Sequence, residues 1–490
     1  MALVLLITGK IGKSMNKSLL FFFFFTLLKS VSAQVETNDF EKEFNAFQKK
    51  QNSEFDGFKD KINQEFALFL KQNWEQFNVE KPKEKPLNPK PDRPIKFTPS
   101  GQDTSSQLPK QKQTPEKAPI EITEPIKKAK PTIPVKENEF QVLFLNTLIP
   151  VEKAALLSVS CKGYNEESVS EYWSTVSKTD FNTFISSIKQ NQITYSLNDW
   201  ATYLLVKKIA EDFHNDKNSQ VAFQFFCLSQ LGYDVKVARI NQDLSLLISF
   251  KQMVYGLEYL SINNKNYFIP VKTNNNGVYT FKNEFENAIT SLNLEIKETP
   301  KINYTIKSRS LTFQNTNLSI NYPKEIIDFY DNIPQTDFTV LFNSTIDVET
   351  EKSLVKAITP FIEGKSEKEA VGVLLSFVQN SFEYKTDKDQ FGKEKYFFVE
   401  DILNFPYSDC EDRSVFFAYL VKRFLNLEVI GLYYPSHIAT AVRFSDSQFG
   451  NTISYDNKIY TICDPTYIGA PMGECMPDYI GVSPKVIVVR

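Results

Sequence analysis

Histidine is the scarcest reactive residue in this 490-residue chain, which has only His214 and His437. Imidazole chemistry must therefore use one of these two, and neither sits at zinc-ligand spacing from a cysteine. The five cysteines (Cys161, Cys227, Cys410, Cys463 and Cys475) are odd in number and widely spaced, which excludes a dense disulfide scaffold. A pairing such as Cys463 with Cys475 stays open. Long apolar runs are missing too: the stretch Leu19 to Leu28 is half of the ~20 residues a bilayer requires. Charge of one sign is absent, with 56 basic and 59 acidic residues and a net charge of −3. With no basic patch interleaved with aromatics, nothing points to nucleic acid as a partner. No metal cluster or cofactor motif is visible, so no cofactor is expected.

Phenylalanine is the residue in excess, at 42. Five of these stand consecutively at Phe21 to Phe25, inside the short apolar run. Before the run comes Met15-Asn-Lys-Ser, with Met15 read as the start, and after it comes the small-residue exit Val31-Ser32-Ala33. This is the pattern of a secretory signal peptide over residues 1–33, and it implies an exported protein with no transmembrane helix after cleavage. Residues 34–77 then carry an 11-residue repeat. Phe44, Phe55, Phe66 and Phe77 recur at that interval, as do Phe47, Phe58 and Phe69. Eleven residues make three helical turns, so the aromatics hold one face of a long amphipathic helix. Such a face suits self-association or docking on a partner, or packing on the chain's own domains; association is the favoured reading. Residues 78–137 hold 12 of the 24 prolines among Lys, Glu, Thr and Ser, a composition for an extended linker.

From about Glu139 the texture is globular, and the fold class is α+β. Residues 140 to 230 read as helical, with apolar spacing of three and four at 151–157, 181–189, 200–213 and 221–231. Strand-like runs follow at 235–240 and 267–271. Residues 277–348 alternate with period two, which suggests a β-rich insert or small sandwich. Helices return at 350–362 and 366–382, opening a last domain over 349–490.

That last domain holds the chemistry. Ser408-Asp409-Cys410-Glu411-Asp412-Arg413-Ser414 opens a helix whose following positions, among them Val415, Phe416 and Leu420, are apolar on most faces. A cysteine at a helix N-terminus gains thiolate character from the free N–H groups there. Glu411 and Asp412 oppose this, so a cation is needed. His437 stands 27 residues on, opening the strand-like His437-Ile-Ala-Thr-Ala-Val442, and another 27 residues on the strand Lys458–Cys463 runs into Asp464-Pro465-Thr466. A lone strand histidine is more often a satisfied core residue. Helix-borne Cys, strand-borne His and a strand-end Asp together suit a nucleophile, a base and an orienting acid.

With these residues the chain resembles the transglutaminase-like (papain-type) superfamily. The matching stretches are Asp409-Cys410-Glu411-Asp412, His437-Ile438-Ala439 and Asp464-Pro465-Thr466, with a lead-in helix at 370–382 and the connecting Glu400-Asp401-Ile402-Leu403. Ser408 stands where many relatives have glycine. The resemblance covers residues 366 to 475 and implies the catalytic set Cys410, His437 and Asp464. It further implies covalent attack on a peptide or carboxamide carbonyl through a thioester, with a protein or peptide as substrate. Hydrolysis is the favoured outcome, transamidation (protein cross-linking) uses the same triad, and a non-catalytic envelope adaptor is the rival class. The Cys410 backbone N–H would give one oxyanion donor.

An internal echo bears on the rival class. Gln230–Val237 matches Phe424–Gly431 in character, and Asn264–Pro270 matches Asn457–Cys463, at offsets of 194 and 193. Residues 138–276 then read as a possible degenerate copy of the last domain. Cys410 falls on Asp216 there, His437 near Asp243 and Asp464 on Val271.

Overall fold

The computed structural model describes residues 46, 57, 59–72, 74–84, 94–98, 136–271, 273 and 277–490. The signal segment, most of the 11-residue repeat and linker residues 85–93 and 99–135 lie outside them. The chain divides into two units, Met1–Ile62 and Asn63–Arg490, and the sheets and the candidate site belong to the second. Among the described residues no helix is long and apolar enough to cross a membrane.

The repeat helix ends earlier than the sequence suggests. Residues 59–70 are helical, but Glu75–Phe77 form strand β1, so Phe77 leaves the stripe and pairs opposite Val278. The two aromatic positions nearest this end pack within the chain: the Phe66 ring lies 4.8 Å from those of Trp173 and Phe285, and Phe69 meets Phe281 edge-on at 5.6 Å. Here the stripe is a core contact. Two short pieces of the linker pair with the folded chain. Glu80 bridges Tyr259, and Lys96 bridges Ile468.

Residues 139–152, expected as helix onset, form a hairpin, β2 (Glu139–Phe144) and β3 (Thr147–Glu152). Its two-residue turn, Leu145-Asn146, has positive φ at both positions, the geometry that matches strand twist. Four helices follow: α1 (Glu166–Val176), α2 (Phe181–Thr194), α3 (Asp199–Phe213) and α4 (Lys217–Gln230). The last three match the apolar runs at 181–189, 200–213 and 221–231, whereas 151–157 ends β3 and enters a single 3-10 turn, Ala155–Ser158. The chain then enters β4 (Val235–Ile240), β5 (Asp243–Ser249), β6 (Glu258–Ile262), β7 (Lys265–Ile269) and β8 (Val278–Thr280). These join β1 in one sheet of order β1-β8-β4-β5-β7-β6, with α4 packed on β4 and β5.

The segment 277–348 is not a sandwich. Its first strand, β8, belongs to the preceding sheet, and only β9 (Ile306–Phe313) and β10 (Thr316–Pro323) form a separate hairpin. After them come α5 (Lys324–Asn332), α6 (Phe338–Phe342), α7 (Val348–Ile362) and α8 (Glu367–Ser381), the last opened by a Ser366–Glu369 capping box. A long connection carries β11 (Glu383–Tyr384), α9 (Asp387–Phe391), α10 (Asp401–Asn404) and β12 (Tyr407–Ser408). It leads to α11 (Cys410–Leu425). Phe416 and Phe417 of α11 are fully buried, each contributing roughly 2–3 kcal/mol. The helix stops at Asn426, which takes the left-handed conformation.

The second sheet consists of β13 (Glu428–Tyr434), β14 (His437–Arg443), β15 (Thr452–Tyr455), β16 (Lys458–Cys463) and β17 (Lys485–Val488), in the order β15-β16-β14-β13-β17. This is the first sheet's order from β6 to β8 over again. Val235 opposite Ile248 becomes Val429 opposite Val442, and Tyr259 opposite Phe268 becomes Thr452 opposite Thr461. The bond between hairpins repeats as well, Ile248 with Phe268 becoming Val442 with Thr461. The turns Asn263-Asn264 and Asp456-Asn457 both have positive φ at each residue, which explains the asparagines there. In both lobes a buried helix lies on the two central strands, with a second helix against it: α3 on α4, α8 on α11.

Candidate functional site

Cys410 is the first residue of α11, with Asp409 as its N-cap. Asp409 and Asp412 form a reciprocal capping box, in which the Asp409 N–H donates to Asp412 Oδ2 at 3.1 Å. The other Asp412 oxygen accepts the Phe397 N–H (3.3 Å), Asp409 Oδ2 accepts the Asp387 N–H (3.3 Å), and Asp387 Oδ2 accepts the Lys395 N–H (2.8 Å). Of the two acids read from sequence as opposing a thiolate, Asp412 therefore works with Asp387 and Asp409 to fasten the connection 387–397 over the helix start. Asp387, Asp409 and Asp412 lie close enough to share a cation, as do Asp387, Glu394 and Glu411. Asp387, Asp409 and Asp412 are already committed to these backbone donors.

A cation near Cys410 is Arg413, a residue without a role in the sequence reading. Its guanidinium is buried, donating from Nη2 to the Phe382 carbonyl (2.7 Å) and from Nε to Ser408 Oγ (3.2 Å), and lies 5.5 Å from the Tyr384 ring centre. Burial pushes its pKa down to about 10, and Tyr384, Asp409, Asp412 and Cys410 act against that. It stays charged at neutral pH. An arginine one helical turn past the cap, in a first turn otherwise acidic, was the available signal.

Ser414, one turn on from Cys410, donates to the Ile438 carbonyl at 2.9 Å. Residues four apart share a helix face, so this bond docks the Cys410 face of α11 on the start of β14. His437 is the first residue of β14, and its Nε2 meets Asp464 Oδ2 at 2.7 Å. Asp464 Oδ1 accepts the Thr466 N–H (2.9 Å) and the Tyr467 N–H (3.1 Å). The carboxylate is thus fixed on both oxygens, and it holds the imidazole by Nε2.

The third pairing differs from expectation. The Cys410 thiol donates to Glu411 Oε2 at 3.1 Å, and the buried Nδ1 of His437 makes no hydrogen bond. The structure thus joins His437 to Asp464 and brings Cys410 to the same end of β14, without a Cys–His hydrogen bond. All three are closed from solvent, at 1% exposure for Cys410 and 3% each for His437 and Asp464.

Two further residues shape the site without a sequence signal. Tyr479 lies parallel to the His437 ring at 5.3 Å, meets Tyr434 at a tilt at 4.8 Å, and shares a 2.8 Å hydrogen bond with Ser436 Oγ. Gln379 of α8 reaches the loop after Asp464: its Nε2 lies 3.0 Å from the Asp464 carbonyl, 2.9 Å from that of Tyr467 and 3.1 Å from that of Ala470. Its Oε1 accepts the Gly469 N–H at 3.3 Å.

All five cysteines are free and buried. Burial pushes the thiols of Cys161, Cys227, Cys463 and Cys475 up. Cys227 sits in the middle of α4 as a packing residue.

In the first lobe the corresponding places carry no nucleophile. Asp216 caps α4 by accepting the Ser219 N–H (2.7 Å), Asp243 opens β5 and pairs with Lys217 at 3.2 Å, and Val271 lies exposed beyond β7. His214 ends α3, where burial lowers its pKa. No protein-family model, curated protein or solved structure matches the chain.

Proposed function

We propose that the protein is an exported cysteine hydrolase of the transglutaminase-like (papain-type) class, with Cys410 as nucleophile, His437 as base and Asp464 as orienting acid. The observation that carries this is the buried His437–Asp464 pair, bonded through Nε2 with Nδ1 left over, at the strand end on which the Cys410 helix face docks. With Nε2 committed, Nδ1 is the nitrogen that takes the thiol proton. Cys410 Sγ turns from Glu411, gives its proton to His437 Nδ1 and attacks the carbonyl carbon of a peptide or carboxamide. The tetrahedral intermediate collapses as His437 protonates the departing amine, leaving a thioester on Sγ. Water, deprotonated by His437, then releases the acid and the thiol. An amine in place of water would give transamidation. The first lobe is a degenerate copy of this domain, kept for binding or support.

The adaptor reading has one observation of its own, the thiol bonded to Glu411 instead of His437. One experiment separates the two. Iodoacetamide alkylation of Cys410, followed by peptide mapping across pH, is expected to persist below the ~8.5 of a free thiol. His437→Ala is expected to remove the low-pH reactivity, and Asp464→Asn to weaken it less. A rate that follows ordinary thiol titration and ignores the loss of His437 refutes the hydrolase reading and leaves the adaptor.

A further inference from the structure

The triad is closed at 1–3% exposure, yet a hydrolase must admit a carbonyl to the sulfur. Along the loop that leads out of the triad acid lies a piece of the chain from far upstream. Residues 94–98 run extended along the loop that follows Asp464. The Phe97 N–H donates to the Ile468 carbonyl and the Ile468 N–H to the Ile95 carbonyl, both at 2.9 Å, forming a parallel bridge centred on Lys96. This is the hydrogen-bond pattern of strand addition, made here on a loop. The side chains alternate as a strand requires: Ile95 and Phe97 are half-buried, while Lys96 and Thr98 are exposed. Ile95 and Phe97 pack against a cluster of Tyr467, Ala470 and Met476, with the Phe97 ring edge-on to Tyr467 at 5.7 Å.

That cluster is tied to the triad at two points. Tyr479 packs against it and stacks on His437. The Tyr467 N–H is held by Asp464 itself. An extended segment paired to Ile468 is therefore four residues from the triad acid, on a loop whose shape Gln379 fixes. A main-chain edge gives a peptide affinity without sequence, and an apolar cluster beneath it selects residues spaced two apart.

We propose that the Tyr467–Ile468 edge is the enzyme's peptide-binding site, taking an extended segment with apolar side chains at alternate positions, and that residues 94–98 occupy it in cis. The strap is thus a stand-in for substrate and a cover over the triad. This rests on the hydrolase reading for its purpose, but its test does not.

The full chain is compared with Ile95→Asp/Phe97→Asp and, separately, with Phe97→Pro, which removes the N–H donor to Ile468. The readout is the alkylation rate of Cys410 by iodoacetamide. Both variants are expected to react at least tenfold faster than the unaltered chain at equal circular dichroism. A capped synthetic peptide of residues 93–99 at millimolar concentration is expected to slow the double variant again, and a scrambled peptide of the same composition is not. Rates within twofold of the unaltered chain, or equal action of the two peptides, overturn the proposal. His437→Ala added to the double variant tells the two ideas apart. Fast alkylation that has lost only its low-pH arm supports both, and fast alkylation unchanged by the loss of His437 keeps the strap and removes the triad.

Discussion

Replacing Gln379 with leucine isolates the scaffold that aims Asp464. The substitution keeps most of the volume and removes a buried amide facing three carbonyls and one N–H. Nε2 has two hydrogens for its three carbonyl partners, so two good bonds are lost, and the Gly469 N–H loses its acceptor. Each buried group left without a partner costs about 1–3 kcal/mol. Some relaxation of the loop is certain, which brings the expected loss to roughly 3–5 kcal/mol. The loss should be read as a lower urea midpoint with an unchanged slope. A second effect follows at the site. The Asp464 carbonyl is one of the released groups, so the carboxylate loses part of its placement and His437 its orientation, and Cys410 should lose low-pH reactivity as in Asp464→Asn. Asn380→Leu, on the exposed neighbouring position, serves as the control and should stay within ~0.5 kcal/mol. A loss below about 1 kcal/mol for Gln379→Leu, with Cys410 reactivity unchanged, would refute the view that this side chain builds the loop.

Two other outcomes are expected. Burial raises the carboxyls of Glu400 and Asp401 to about 7, so the folded chain holds protons there that the unfolded chain sheds near pH 4. Stability should fall as pH rises from about 4.5 to 7, and at ~1.4 kcal/mol per tenfold change Glu400 alone accounts for about 3 kcal/mol. Glu400→Gln should shrink the difference between urea unfolding at pH 5 and pH 8 by about that amount, and parallel curves for variant and unaltered chain would contradict the assignment. Mild proteolysis should cut first within the proline-rich residues 99–135 and leave two fragments that part on a denaturing gel. They should co-elute on gel filtration, since β1 pairs with β8 and Phe66 packs among Trp173, Phe281 and Phe285. Separate elution would mean that these contacts do not hold the N-terminal piece.

The elements legible in the sequence were those whose local signals agree. The helix behind Cys410 has an acidic cap, an apolar body and a left-handed stop at Asn426. The strands Val235–Ile240 and Lys458–Cys463 end at turn residues and matched their expected bounds. The hairpin at 139–152 escapes a sequence reading because apolar residues spaced for a helix also suit two short strands, and the turn Leu145-Asn146 carries only one of the residues that mark such turns. Phe77 kept the 11-residue spacing and still left the helix, because a strand edge at β8 offered hydrogen bonds that spacing cannot register. At the site, His437 and Asp464 were readable from their strand positions. Gln379 acts across 85 to 91 residues of sequence and Tyr479 through ring stacking, and no local pattern marks such partners, while Arg413 was marked only as the one base in an acidic first turn. Glu411 reads in the sequence as a charge opposing the thiolate, while its hydrogen bond to the thiol depends on a rotamer.

The two lobes share hairpin register and helix placement, so neither feature explains why only one brings a cysteine, a histidine and an aspartate together. The difference lies between the paired helices. Residues 214–216 alone join α3 to α4, and the start of α4 is left open, with the Lys217 and Asp243 side chains 50% and 56% exposed. From α8 to α11 the chain instead takes residues 382–409, and this connection folds back over the helix start, leaving Asp409 0% and Cys410 1% exposed. Removing water from a helix N-terminus strengthens the field of its N–H groups and of any charge beside it. The same desolvation would leave the acids there unsupported, which is why each of Asp387, Asp409 and Asp412 accepts a backbone N–H and Arg413 stands among them. In the first lobe an equivalent Asp–Lys pair faces water and is screened to little effect. On the proposed hydrolase reading, the long connection, more than the triad residues themselves, is what would equip one lobe and not the other for thiol chemistry.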